Sequence, residues 1–120
     1  MKNANNACTP KPLSARELSS WLQSDQRPCV LDVREQQELA IAPFPQPVLH
    51  LPLSEAERWM SDLPSLLADA DELVVLCHAG VRSWQFGCWL LSQDPRRSVW
   101  NLQGGIDAWS LNVDPGVPRY

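Results

Sequence analysis

Between positions 73 and 83 the chain reads LVVLCHAGVRS. An apolar run long enough for a buried strand stops at Cys77, a short segment containing Gly80 follows, and Arg82-Ser83 opens a stretch with helical spacing. A cysteine at such a junction is a candidate nucleophile. The strand–turn–helix path gathers backbone N–H groups around the sulfur and aims a helix N-terminus at it. Both favour negative charge on a thiolate or an anionic persulfide. Gly80 can take the positive φ that a tight cradle demands. Arg82 adds a fixed positive charge and Ser83 a hydroxyl donor. In a chain of net charge −4, this is the local positive potential expected for an anionic substrate. The plainer alternative makes Cys77 a core residue at a strand end, as many cysteines are. The Gly, Arg and Ser that follow it favour chemistry.

The spacing also separates two thiol chemistries. Four residues lie between Cys77 and Arg82, one fewer than in the Cys-x5-Arg loop with which cysteine-dependent phosphatases wrap a phosphoryl group. The tighter loop suits one sulfur atom and its anionic donor better than it suits phosphatase or arsenate-reductase chemistry. His78 either helps hold a neighbouring anion or solvates the loop. Asp32 closes an apolar run, where a carboxylate either needs a partner or serves as a local turn or cap. Glu35 and Glu38 read as a solvated helix face. His50 satisfies a strand end. Cys29 and Cys88 read as core residues, and Cys8 lies in a polar leader. The four cysteines form no C-x-x-C pair and the chain has two histidines, a poor basis for a metal site. Gly104-Gly105 lacks the rest of a nucleotide fingerprint and reads as a tight strand-to-helix turn.

The elements that must position these residues alternate. Ser14 and Glu17 form a capping box ahead of Leu18, Trp21 and Leu22. Short apolar strands are expected at 29–33, 48–51, 73–76 and 98–102, and helices at 34–41, from Ser54 onward, at 82–93 and at 106–111. A second capping box, Ser54 to Glu57, is expected to open the third helix, with Trp59, Leu63, Leu66 and Leu67 inward and Pro64 kinking or splitting it. Trp84, Cys88 and Leu91 would form the inner face of the helix after Cys77. The tail from Asn112 to Tyr120 is expected to be extended. Strands alternating with helices imply parallel pairing and right-handed crossovers. The expected fold is α/β, a three-layer domain with a central, mainly parallel sheet and helices on both faces. Ligands bind such sheets beyond the carboxyl ends of the strands, where Asp32, His50 and Cys77 fall.

At 120 residues the chain has room for one core. The expected organisation is a flexible polar leader over 1–12 and a single domain over 13–120. No apolar stretch reaches the length of a membrane span. The mild acidity and dispersed basic residues give no footprint for nucleic acid. The leader lacks the apolar centre of a signal peptide, so the reducing cytoplasm is the expected compartment and its thiols are expected to stay reduced.

LDVRE at 31–35, CHAGVRS at 77–83 and NLQGGIDAW at 101–109 resemble, in order, three signature segments of rhodanese-like domains. Together with the element order they cover nearly all of the chain from Leu13 onward. The resemblance implies a single-domain sulfurtransferase in which Cys77 accepts a sulfane sulfur from an anionic donor such as thiosulfate. The persulfide then passes its sulfur to a thiol, to a cyanide-like acceptor or to a protein. His78, Ala79, Gly80, Val81 and Arg82 would form the loop around the persulfide, with Asp32, Arg34 and Ser83 supporting it, and no metal or other cofactor is implied. The tail VDPGVPRY looks like the end of stand-alone bacterial members. The sequence departs from the family where Pro43-Phe-Pro-Gln-Pro47 precedes His50-Leu-Pro52, and no substrate role is assigned there. A non-catalytic interaction or regulatory module on the same fold stays open as the alternative.

Overall fold

The computed structural model describes residues 8–120. Its strands are β1 (Lys11–Leu13), β2 (Cys29–Asp32), β3 (Leu49–His50), β4 (Glu72–Leu76) and β5 (Ser98–Leu102). The helices are α1 (Ala15–Leu22), α2 (Gln36–Ile41), α3 (Ala56–Trp59), α4 (Leu63–Leu66), α5 (Val81–Gln93) and α6 (Gly105–Asn112). The strands form one sheet in the order β1-β5-β4-β2-β3, and every neighbouring pair is parallel. A strand buried on both faces needs apolar residues on both, and β4 supplies them from Leu73 to Leu76. Val74 and Leu76 pack with Leu18, Leu22, Ile106 and Trp109 of α1 and α6. Leu73, Val75 and Cys77 pack on the other face with Trp59, Leu63, Phe86 and Leu90. The three-layer α/β expectation holds.

Register is what places the site. β2 runs beside β4 so that Asp32 pairs with Leu76, one residue before Cys77. On the other side Asn101 of β5 pairs with Val75. Asp32, Cys77 and Asn101 therefore emerge together at the carboxyl end of the sheet.

Local rules hold in some places and yield in others. The first capping box forms: Ser14 Oγ accepts the Glu17 N–H at 3.1 Å and Glu17 Oε1 accepts the Ser14 N–H at 2.9 Å. The second does not. Ser54 gives both its N–H and its hydroxyl to the Glu35 carboxylate, and the chain passes through a 3-10 turn, Leu53–Glu55, before α3. Pro64 sits at the start of α4, which splits the expected third helix, and Leu66 faces solvent. The inner face of α5 is Ser83, Phe86, Gly87, Leu90 and Leu91. Trp84 points outward at 44% exposure and Cys88 is half-buried, as is Cys29 at the start of β2. The i, i+3, i+4, i+7 stripe that packs is thus one position off the expected one.

Within the segment expected as leader, Lys11 and Pro12 pair with Trp100 and Asn101 of β5 and Pro10 is buried. Residues 1–7 of that leader lie outside the described residues. The tail is not simply extended. Val117 N–H donates to the Asp114 carbonyl in a turn, Ser110 Oγ donates to the Val117 carbonyl at 2.6 Å, and the chain returns toward Cys77. Among the described residues, no helix is long and apolar enough to cross a membrane.

Candidate active site

Cys77 follows β4 directly and is 1% exposed. The chain then turns through His78, Ala79 and Gly80 into α5. Gly80 caps that helix with φ +102°, a left-handed conformation that suits glycine, and this points its N–H at the cysteine. The Gly80 N–H donates to Cys77 Sγ at 3.1 Å. One turn into α5, Ser83 Oγ lies 3.2 Å from the same sulfur and donates to Asn101 Oδ1 at 2.6 Å. Asn101 Nδ2 in turn donates to the Gly80 carbonyl at 3.1 Å, which fixes the orientation of the amide. With its one proton on Asn101, Ser83 presents a lone pair to the neutral thiol. Reorienting that proton gives a donor for anionic sulfur.

A second clamp comes from α6. The N–H groups of Ile106 and Asp107 donate to the carbonyls of Cys77 at 2.8 Å and of His78 at 3.1 Å. For this the backbone at Gly105, with φ +61°, must press against the loop. A Cβ there would lie 2.4 Å from both the Cys77 and His78 carbonyl oxygens. Gly104-Gly105 is therefore more than a turn: it lets the start of α6 hold the loop by its backbone.

Asp32 and Arg34 are both fully buried and paired, with Arg34 Nη2 at 2.8 Å from Asp32 Oδ2 and Nε at 3.0 Å from Oδ1. Arg34 Nη1 also donates to the Ala42 carbonyl at 2.9 Å and to the Tyr120 hydroxyl at 3.1 Å. Burial opposes the arginine's charge, but these partners outweigh it and raise its pKa above the ordinary value. His50 Nε2 lies 2.6 Å from the Arg34 carbonyl, to which a ring N–H donates. Asp32 and Arg34 thus brace the floor of the site.

Arg82 is not an open cation. Its Nη1 and Nη2 donate to the two carboxylate oxygens of Glu38, each at 2.8 Å. The Arg82 hydrogen bonds hold the Glu38 carboxyl at about 2, and Glu38 in turn raises the Arg82 pKa. Glu38, expected on a solvated face, instead also accepts the Glu35 N–H at 2.9 Å and the Tyr120 hydroxyl at 3.0 Å. The Tyr120 ring stacks on His78 with centroids 4.1 Å apart and planes 12° from parallel. Burial raises the Tyr120 pKa, so its hydroxyl keeps its proton and donates. Arg119 Nε pairs with Asp107 Oδ1 at 2.7 Å and fastens the tail to the first turn of α6.

Of the residues expected around the sulfur, Gly80 and Ser83 touch Sγ, Asp32 and Arg34 pair with each other, and Arg82 turns to Glu38. Ala79 and Val81 are exposed and His78 is half-buried. Sequence reasoning missed Asn101, Glu38, Gly105 and Tyr120. Asn101 had a signal, since an amide ending the strand beside β4 has little reason to be polar except toward a site. Among the described residues, no group of three His, Cys, Asp or Glu side chains could hold a metal ion. A surface depression of about 820 Å³, lined by Trp21, Arg27, Cys29 and Glu72 among others, lies at the opposite, amino end of β2 and β4. It does not touch the sulfur.

The profile of the rhodanese-like domain family matches residues 14–112. The rhodanese-like/PpiC domain-containing protein 12, chloroplastic, of Arabidopsis thaliana is 39% identical over 113 residues, covering 92% of this chain and 37% of that protein. A sulfurtransferase of Allochromatium vinosum is 34% identical over 105 residues, covering 88% of this chain and 92% of that protein. A rhodanese-like domain protein of Staphylococcus aureus superposes with a TM-score of 0.70 at 23% identity, over 92% of this chain and 98% of that one, a likeness of fold. The chain spans about a quarter to about half of the length of several other curated relatives.

Proposed function

The chain belongs to the rhodanese-like domain family, which includes single-domain sulfurtransferases, and from that premise we propose that it transfers sulfane sulfur through a persulfide on Cys77. The observation that carries this reading is the contact set of one atom. Cys77 Sγ sits at the N-terminus of α5 with the Gly80 N–H at 3.1 Å and the Ser83 hydroxyl at 3.2 Å, partners suited to an anionic sulfur.

In the first step the Cys77 thiolate attacks the outer sulfur of an anionic donor such as thiosulfate. The new bond is Sγ–S, the donor's S–S bond breaks, and its electron pair leaves on sulfite. The persulfide keeps one negative charge, which the Gly80 N–H and the Ser83 hydroxyl can share. In the second step a nucleophile, cyanide in an assay or a thiol in the cell, takes the terminal sulfur and returns the thiolate. His78 to Arg82 shape the approach, Asn101 holds the Ser83 hydroxyl beside the sulfur until its proton turns to the anion, and Asp32 with Arg34 keeps the floor rigid. A reducing compartment such as the cytoplasm keeps the thiol available for this cycle. The sulfur acceptor is a small thiol or a protein.

The test is thiocyanate formation from thiosulfate and cyanide. Turnover by the wild type that Cys77→Ser abolishes supports the reading. Folded, reduced wild type that is inactive with thiosulfate and with other sulfane donors favours a non-catalytic module.

A further inference from the structure

The cations around the sulfur are already matched by anions. Arg34 is buried against Asp32, Arg119 is paired with Asp107 beside the loop, and Arg82 spends both Nη groups on Glu38. Arg82 is the guanidinium that follows Cys77 in the loop, at the second residue of α5. An oxyanion that sought Arg82 would compete with the Glu38 carboxylate for the end-on edge of Nη1 and Nη2, and it would meet a guanidinium whose charge is already matched. Glu38 is not a loose side chain that swings aside. Besides Arg82 it accepts the Glu35 N–H and the Tyr120 hydroxyl, while Tyr120 is itself held by Arg34 and stacked on His78. Helix α2 contributes no buried side chain, so these polar contacts, more than apolar packing, set where Glu38 stands.

We propose that Glu38 is a specificity-determining residue that withholds Arg82 from donors whose leaving group is an oxyanion. This rests on the sulfur-transfer reading of Cys77 and refines its donor class. A donor bearing a sulfonate next to the sulfane sulfur, such as thiosulfate, meets an arginine whose charge and end-on edge Glu38 already holds. A hydropersulfide, which carries no such group, does not. The loop's positive charge, expected from sequence to recruit anions, is held in reserve.

The test uses the full chain and two reagents that differ in charge, iodoacetate and neutral iodoacetamide. Their rates at Cys77 are read by peptide mass, because other cysteines also react. In Glu38→Gln, removing the masking charge should raise the iodoacetate-to-iodoacetamide ratio by about threefold to tenfold, the size expected for one charge at partly screened range. The KM for thiosulfate should fall alongside it. The rise must depend on Arg82: Glu38→Gln should raise the ratio less in an Arg82→Gln background than in the wild type. An unchanged ratio in folded Glu38→Gln overturns the proposal, as does an equal rise without Arg82. If the neutral variant does not fold, Glu38→Asp, which draws the charge back by one methylene, should shift the ratio the same way. A ratio that rises while no sulfur donor leaves an adduct on Cys77 overturns the sulfurtransferase reading and leaves the anion mask standing.

Discussion

Gly105 approaches the Cys77 carbonyl so closely that a Cβ would sit 2.4 Å from its oxygen, and the next residue's N–H donates to that same oxygen at 2.8 Å. The two facts belong together. The hydrogen bond that ties α6 to the sulfur loop exists because position 105 has no side chain, so the loop's geometry is set partly from a segment far along the chain.

Gly105→Ala should therefore destabilise the fold by about 3 kcal/mol, since it combines a positive φ with overlap against backbone that cannot step aside. Urea unfolding followed by tryptophan fluorescence measures it. A loss near zero would mean that α6 does not press on the loop.

The Asp32–Arg34 pair should behave as a structural brace. Asp32→Ala leaves a guanidinium buried with only the Ala42 carbonyl and the Tyr120 hydroxyl, and should cost about 3 to 5 kcal/mol. By the same measurement, Arg96→Ala, which breaks an exposed pair with Asp94, should cost far less.

How much of this was open to sequence reasoning depends on distance along the chain. Cys77, Gly80 and Ser83 lie within one strand–turn–helix unit, so local rules sufficed to bring them together. Asp32 was placed beside them by the alternation of strands. Glu38 was not, because a glutamate on a short polar helix looks solvated until its partner 44 positions away is known. Tyr120 was hidden for a similar reason: a Pro- and Gly-containing tail reads as extended, and only the Ser110–Val117 and Arg119–Asp107 contacts turn it back toward His78. Trp84 misled in the other direction. Its size suggested burial, but Ser83 takes the inner position of α5 because the sulfur and Asn101 need its hydroxyl.

Ser83→Ala should slow sulfur transfer by about tenfold, the effect of removing one hydrogen bond to a charged atom. It also leaves Asn101 Oδ1 without its donor. Steady-state thiocyanate kinetics should show the loss mainly in kcat, and a change confined to KM would remove Ser83 from the persulfide's surroundings.

Acid should weaken the fold through Glu38. Its carboxyl is held at about 2, against 4.5 ordinarily, so between those values the unfolded chain binds more protons. The stabilisation is complete above about pH 4.5 and is lost as pH falls toward 2, on the order of 1 to 2 kcal/mol once the partial exposure of Arg82 is allowed for. Urea midpoints at about pH 6 and about pH 3 should diverge more in the wild type than in Glu38→Gln. Equal divergence would show that the ion pair contributes nothing to acid stability.

The central claim is that Cys77 carries sulfur, and intact mass tests it most directly. Reduced wild type exposed to thiosulfate, and to a hydropersulfide in parallel, should gain the mass of one sulfur atom. Cyanide should remove that gain, and Cys77→Ser should not acquire it. Folded wild type that gains no sulfur from either donor, or a Cys77→Ser variant that gains as much as the wild type, would contradict the account.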